Sequence, residues 1–389
     1  MKEASQVSSV TKVPRNLVQG LLYVGFAATG VGMALPGAVL PALLKEWRLG
    51  DAQAGLLFFL AWLGSSVGAL LAEGNRRRSV AGGSLAVAVA LVAMGWGGPS
   101  YWAMALYGLG LGTTMTAISL LQAARHAERR AAELSRLNMV WALGAFLCPS
   151  LAAHSLRVAN VRVICEALAA VFALLSVAIA VLDGEDGDAK TKTASLPGGR
   201  LKELFRNPFA LWPVWVIFLA FLPTGIESSM GGWVAEYAHR AHGSIATTVT
   251  AGSAFWGGIL LSRAFSSTRF LAWRTESGLL RQSAWTVLAG ALLLVMVTSS
   301  AGILCGAALV GFGLGPVYPL ALAYALRYSD HAGIFFLAGV GSAFLPWLTG
   351  MVSGASASLR IGLLVPVAAG AVLVAMGYRA PDGRDSGFA

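Results

Sequence analysis

Charge is what this chain has least of. Asp, Glu, Lys and Arg make up 12% of its 389 residues, about half of the roughly 25% found in soluble domains. That shortage, with 57% hydrophobic residues and a mean hydropathy of +0.70, excludes a water-soluble globular protein and implies a polytopic membrane protein. Cysteine is scarce too. The three present, Cys148, Cys165 and Cys305, are isolated inside apolar stretches, so there is neither a disulfide framework nor a metal-ligand spacing. Acidic residues are outnumbered, 18 against 28 Lys and Arg for a net charge of +10. The basic residues fall between apolar segments rather than along one face, which argues against nucleic acid as a partner. No His pair or Asp pair accompanies the single acid well inside an apolar segment, so the nucleophile or metal constellation of an intramembrane enzyme is lacking; an enzyme is therefore not expected, and neither is a cofactor or metal. A cleavable leader is not expected either. The first apolar stretch, Leu17 to Leu44, is too long for a signal-peptide core and lacks a clear cleavage site, so it is expected to remain as the first span.

What is present is a series of apolar runs long enough to cross about 30 Å of hydrocarbon. Six fall at Leu17–Pro41, Ala52–Ala72, Val80–Gly97, Tyr101–Ala123, Leu137–His154 and Val163–Leu182, and six more at Phe209–Tyr237, Thr247–Leu261, Ser283–Ser299, Ala301–Leu326, Ala332–Ser353 and Leu359–Tyr378. Between the sets lies DGEDGDAKTKTASLPGGRLKELFRN, Asp183 to Asn207, the one long hydrophilic connection. The expected organisation is an N-terminal six-helix bundle over 1–182, a linker over 183–207 and a C-terminal six-helix bundle over 208–389. Twelve spans put both termini on one side. Of the 28 Lys and Arg residues, only Lys45, Arg48, Arg157, Arg162, Arg240 and Arg360 fall on the other. The positive-inside rule makes the terminal side cytoplasmic, with the chain in the plasma (inner) membrane, and an odd number of spans would scramble the asymmetry.

The halves repeat. GALLAEGNRRR after Gly68 matches GILLSRAFSSTR after Gly258, six spans later; GLGLG at Gly108, Gly110 and Gly112 matches GFGLG at Gly311, Gly313 and Gly315. Gly144 precedes Pro149 by five residues, as Gly341 precedes Pro346, and Thr29-Gly30-Val31 answers Thr224-Gly225-Ile226. Four pairs in one order imply a duplication.

One span stands out chemically. FLAFLPTGIESSMGGWVAEY, Phe218 to Tyr237, places Glu227 inside an apolar segment. A carboxylate at the centre of a membrane helix costs about 3 kcal/mol on insertion scales, so it is expected to face the protein interior. Thr224, Ser228, Gly231 and Gly232 share its side of the helix and Pro223 lies one turn before it, a polar stripe on a weakened backbone of the kind that borders a watery cavity. A purely structural, hydrogen-bonded role for Glu227 is the alternative. Glu166, Glu236, His239 and His242 fall near the outer surface and are expected to be solvated; His154 reads as a packing or interfacial histidine.

With these features the chain resembles the major facilitator superfamily over nearly its whole length. The resemblance implies an all-α membrane protein with twelve transmembrane helices in two pseudo-symmetric six-helix bundles. GIESSMGGWVAEY, GLGPVYP and GSAFLPWLTG of spans 7, 10 and 11 are similar to the fucose-permease-like and sodium-linked glucose-transporter-like branch. The segments at Gly68 and Gly258 resemble the family's loop motif after spans 2 and 8, which implies a cytoplasmic gate of Gly68, Glu73, Arg76, Arg77, Gly258 and Arg263. The family's usual aspartate is replaced there, leaving Glu73 as the acid. Drug antiporters of the family often end a glycine-rich motif of span 5 in Gly-Pro, but here Cys148 precedes Pro149.

In such a fold the solute lies between the halves. The residues that could meet it are Gln19 and Tyr23, one turn apart; Asn138 and Trp141, on one face; Thr224 and Glu227; and the aromatics Tyr318, Tyr324, Phe335 and Trp347. Amides, a carboxylate and flat rings suit a hydroxyl-rich ligand. The expected function is secondary transport of a small polar solute, a sugar or polyol, by alternating access. Burial favours the neutral form of a carboxyl, which lets proton uptake and solute binding meet at Glu227, the expected coupling residue. Coupling to H+ is expected, with Na+ as the rival. Efflux of an amphipathic drug or lipid and a non-transporting receptor on the same fold are the alternatives.

Overall fold

The computed structural model describes residues 15–72, 75–98, 100–158, 160–181, 210–266, 275–329 and 333–381. The linker expected at 183–207 and Glu73 lie outside the described residues. Within the described residues the chain is helical, without strands: α1 (Arg15–Glu46), α2 (Asp51–Leu71), α3 (Arg76–Gly97), α4 (Tyr101–Arg125), α5 (Arg130–Val158), α6 (Val161–Val181), α7 (Val214–His242), α8 (Ile245–Ser266), α9 (Glu276–Met296), α10 (Ser300–Leu326), α11 (Gly333–Ser356), and the pair α12 (Leu359–Gly362) and α13 (Leu364–Gly377). Twelve spans result, each long and apolar enough to cross a bilayer, the last formed by α12 and α13 together. The end of the molecule at which α1 begins and α13 finishes is termed proximal and the opposite end distal.

Helix ends follow local chemistry. Asn75, Ser100, Thr275 and Ser299 cap α3, α4, α9 and α10, each side-chain oxygen accepting from a backbone N–H three residues on, which satisfies a donor the helix cannot. Pro213 opens α7 from just outside the helix, and α7 ends at Gly243, whose φ of 62° is left-handed and whose N–H returns to the His239 carbonyl, a glycine stop. The last span breaks at Leu363 because Pro366 brings no N–H to the Gly362 carbonyl. α5 begins at Arg130 rather than at Leu137, and this brings Glu133 into the helix.

The expected repeat is visible in the packing. Added Cβ atoms on Gly108 and Gly112 would strike the Ala61 and Ser65 carbonyls of α2, while one on Gly110 would strike α3 at Gly83 and Val87. In the second half, Gly311 and Gly315 meet Phe255 and Ser262 of α8 in the same way, and Gly313 meets Ser283 and Val287 of α9. Gly68 against Leu109 and Gly258 against Ala308 repeat the theme, as do Gly144 on α1 and Gly341 on α7. Glycine at these positions lets helix backbones touch. In this way α2, α3 and α4 pack together as α8, α9 and α10 do, and α1 with α5 as α7 with α11.

Outward faces are apolar: Leu174, Val177, Val181 and Met296 are largely exposed, as lipid contact requires. Trp96, Tyr101 and Trp102 are exposed at the distal rim, and Tyr328 and Tyr378 at the proximal rim, in the manner of interfacial aromatic belts. Trp96 is fixed there by the Arg162 guanidinium 3.3 Å from its ring centre and by donating to Glu166 at 2.9 Å.

Candidate functional site

The halves meet along three seams, α2 on α11, α5 on α8 and α1 on α7, and the candidate site lies on them at mid-depth. Glu227 is near the midpoint of α7, about 20 Å from either end at 1.5 Å per residue. One carboxylate oxygen lies 3.9 Å from an Arg263 nitrogen on α8, with the two side chains 18% and 17% exposed. The Arg263 guanidinium in turn lies 5.2 Å from the ring centre of Trp141 on α5, in the other half. Glu227 therefore points at the seam and not at lipid. Tyr318 of α10 is half-buried. Trp141 is 5% exposed, meets Trp256 edge-on at 5.8 Å, and its indole N–H is buried without an acceptor.

Two of the expected solute-facing residues, Glu227 and Trp141, thus come together, joined by Arg263. Arg263, read from sequence as part of the gate after span 8, lies in the last turn of α8 and reaches this cluster. Thr224 lies one turn before Glu227 and donates its hydroxyl to the Ala338 carbonyl of α11 at 2.6 Å, a tie within the second half. Asn138 lies one turn proximal of Trp141, exposed, and donates to its own helix at Leu134, 2.9 Å away.

The remaining candidates fall elsewhere. The Tyr23 hydroxyl donates to Glu133 at 2.6 Å, and Glu133 accepts from Arg136 at 2.7 Å; Gln19 is half-buried one turn farther toward the proximal end. Trp347 packs in the α2/α11 seam, 5.8 Å from Phe59 and 5.5 Å from Phe344. Phe335 is 47% exposed in the first turn of α11, away from the cluster, and Tyr324 is buried against Trp215. Of the expected gate, Gly68 and Gly258 are close-packing positions within their own halves. Arg76 reaches the Leu120 carbonyl at 3.4 Å, Arg77 is half-buried, and the pairing expected of Glu73 lies outside the described residues.

A second polar constellation, which the sequence did not reveal, closes the distal end. Arg240 of α7 donates two hydrogen bonds to Asp51 at the start of α2, at 2.6 and 2.8 Å, and a third to Glu236 at 2.5 Å; Ser353 of α11 donates to the same Asp51 carboxylate. Around this bidentate pair the backbones of the two halves touch. A Cβ on Gly37 of α1 would collide with the Gly231 carbonyl of α7, and one on Gly350 with the Asp51 carbonyl. Phe58 of α2 stands edge-on to Trp233 at 5.6 Å. Among the described residues Asp51–Arg240 is the ion pair that joins the halves. Glu236, expected to be solvated, is 4% exposed, because the distal ends of α2 and α11 cover it. Sequence offered one signal for this lock, an acid and an arginine four apart on α7; its partner on α2 was not readable.

The comparisons with known proteins bear on the fold. The model of the Major Facilitator Superfamily matches residues 22–346. No curated protein matches the chain in sequence. Among solved structures, the D-xylose-proton symporter is 14% identical with a TM-score of 0.69, over 95% of this chain and 98% of that one. The nucleoside transporter NupG is 11% identical with a TM-score of 0.71, over 93% and 96%. A bacterial homologue of the human lysosomal transporter Spinster, inward-facing and occupied, is 13% identical with a TM-score of 0.63, over 94% and 95%. At these identities the likeness is one of fold.

Proposed function

The chain belongs to the major facilitator superfamily, and on that premise we propose that this multi-pass membrane transporter moves a small hydroxyl-bearing solute together with a proton that Glu227 carries. The observation behind the proposal is the position of that carboxylate: mid-depth on α7, turned to the seam, and paired loosely with a cation that stacks on the opposite half. A group so placed senses both the solute and the relative position of the halves. The solute class draws support from the motifs of spans 7, 10 and 11 that resemble the fucose-permease-like branch, and from the D-xylose-proton symporter and nucleoside transporter among the structural neighbours.

The cycle follows from the two constellations. The terminal side is cytoplasmic, as the distribution of Lys and Arg suggests, so the distal lock of Asp51, Arg240, Glu236 and Ser353 faces outward and is closed. Solute and proton enter when that lock is open, bind between the halves, and leave after the halves have rocked and the lock has re-formed. Purified protein in proteoliposomes tests this. Glu227→Gln is expected to abolish accumulation driven by a pH gradient while leaving solute exchange intact; unimpaired uphill uptake by the variant overturns the coupling role. A second reading, transport of an amphipathic molecule, is favoured by one feature, an apolar groove of about 580 Å³ between α5, α8 and α10 lined by Phe146, Leu261 and Phe312. It predicts that lipid-like molecules, and not sugars, stabilise the protein.

A further inference from the structure

We infer that Glu236 is a proton-binding site inside the distal clasp: its carboxylate takes a proton from the distal medium when the halves close there and returns it when they part. The inference goes beyond the proposed function and stands independently of Glu227. Hydrogen-bond supply carries it. Arg240 spreads its guanidinium over two carboxylates and serves them unequally. Asp51 accepts two bonds from Arg240, at 2.6 and 2.8 Å, and another from Ser353. Glu236 accepts one, on Oε1 at 2.5 Å, while its Oε2 is buried without a hydrogen-bond partner. Asp51 also opens α2, where the helix dipole favours a negative charge; Glu236 lies in the last two turns of α7, toward the opposite pole.

Other charged and titratable groups of this end, among the described residues, are engaged or turned elsewhere. Against α7 pack α1, α8, α10, α11 and α13. Of these, α10, α11 and α13 contain no Asp, Glu, Lys or Arg, Arg263 of α8 is in its last turn, at the proximal end, and Lys45 and Glu46 of α1 are exposed, as is Cys305 of α10. Arg360 of α12 donates to the Val295 carbonyl. On α7 itself Tyr237 donates to the Leu294 carbonyl at 2.8 Å, His239 has its Nδ1 3.5 Å from the Thr248 hydroxyl, and His242 is exposed. An ionised carboxylate is an acceptor only. Burying one with an oxygen unmet costs far more than burying the neutral acid there, even with an O–H that finds no partner. Two carboxylates on one site repel, and the site settles by one of them holding a proton. Asp51, with its three bonds, keeps the charge, and Glu236 takes the proton.

Parting of the halves reverses the balance. Asp51 leaves with α2, while Arg240 and Glu236 stay together on α7, one turn apart. Water then reaches Glu236 and the whole guanidinium is left to it, which favours the ionised acid. The closed clasp therefore holds one proton more than the open one, gained at Oε2 from distal water and lost to the same water on opening. That proton does not cross the membrane. It makes closure depend on distal pH: between the pH at which the open form of Glu236 ionises and the higher one at which the closed form does, the ratio of closed to open rises up to about tenfold for each unit of acidification.

Spin labels at Arg48 and His242, on distal ends of opposite halves, read the clasp as a distance in the purified full chain. The background is Glu227→Gln, so that protonation of the mid-depth carboxyl contributes nothing and the outcome does not depend on the coupling role given to it. In that background the short-distance population is expected to grow as the pH is lowered from about 8.5 to about 5. Adding Glu236→Gln, which mimics the neutral acid, is expected to hold the short distance across the whole range. Should that variant fail to fold, Glu236→Met, neutral and of similar length, takes its place. Adding His239→Gln instead removes the neighbouring imidazole and is expected to leave the shift intact. A distance that ignores pH in the background, a shift of opposite sign, a shift that survives in the neutral Glu236 variant, or one that is lost with His239 alone overturns the inference.

Discussion

At the scale of single residues, the charge pair at the seam sets the strongest expectations. Arg263→Ala leaves Glu227 without its opposite charge, which costs stability where water is scarce; a thermal unfolding series in detergent should show the variant below Glu227→Gln/Arg263→Gln, which removes both charges. Trp141→Phe keeps the ring against Trp256 and Arg263 but deletes the N–H, and is expected to weaken solute binding several-fold, about the size of one hydrogen bond, with little change in Tm. Titration of the solute against tryptophan fluorescence or heat of binding measures this. Glu227 was legible in the sequence because an acid inside an apolar run is conspicuous. Arg263 was not, since it lies near a span end among residues that resemble a loop motif, and only the tertiary structure turns it inward. Glu133 was hidden for a related reason, a helix that starts a turn and more before its apolar run does.

At the scale of elements, closure depends on how nearly helix backbones can approach. Gly37 of α1 faces the Gly231 backbone of α7, and any Cβ there collides with it, so Gly37→Val is expected to prevent distal closure. Gly20 on the same helix has nothing within 4 Å of an added Cβ, and Gly20→Ala is expected to change stability by under about 1 kcal/mol, which makes it the control. Asp51→Asn loosens the clasp to Arg240 without removing bulk. Probes at Arg48 and His242, on distal ends of opposite halves, should separate in Asp51→Asn and in Gly37→Val and stay close in Gly20→Ala; an unchanged distance in the first two contradicts the distal lock. The repeated glycines were readable because a duplication preserves their order, and each found the same neighbour helix in both halves. The clasp was not, because Asp51 lies 189 residues from Arg240 and 302 from Ser353, and no local pattern spans that distance.

At the scale of the whole molecule, twelve spans follow from hydropathy alone, and the pairing of halves from the repeat. The distribution of Lys and Arg predicts that a reporter fused at the C-terminus is active only in the cytoplasm; periplasmic activity contradicts the orientation. What sequence could not supply is the seam itself, the set of contacts between halves that carries both the charge pair and the clasp, because it exists only once the two bundles have docked. Movement of the halves is, on this reading, tied to a proton on Glu227. The most direct measurement follows protons and a radiolabelled solute, chosen from sugars and polyols by thermal stabilisation, together in proteoliposomes under an imposed pH gradient, for the wild type and for Glu227→Gln. The wild type is expected to accumulate the solute with matching proton entry, and the variant to exchange it without accumulation. Uphill uptake by Glu227→Gln at the wild-type rate contradicts a proton carried on that side chain.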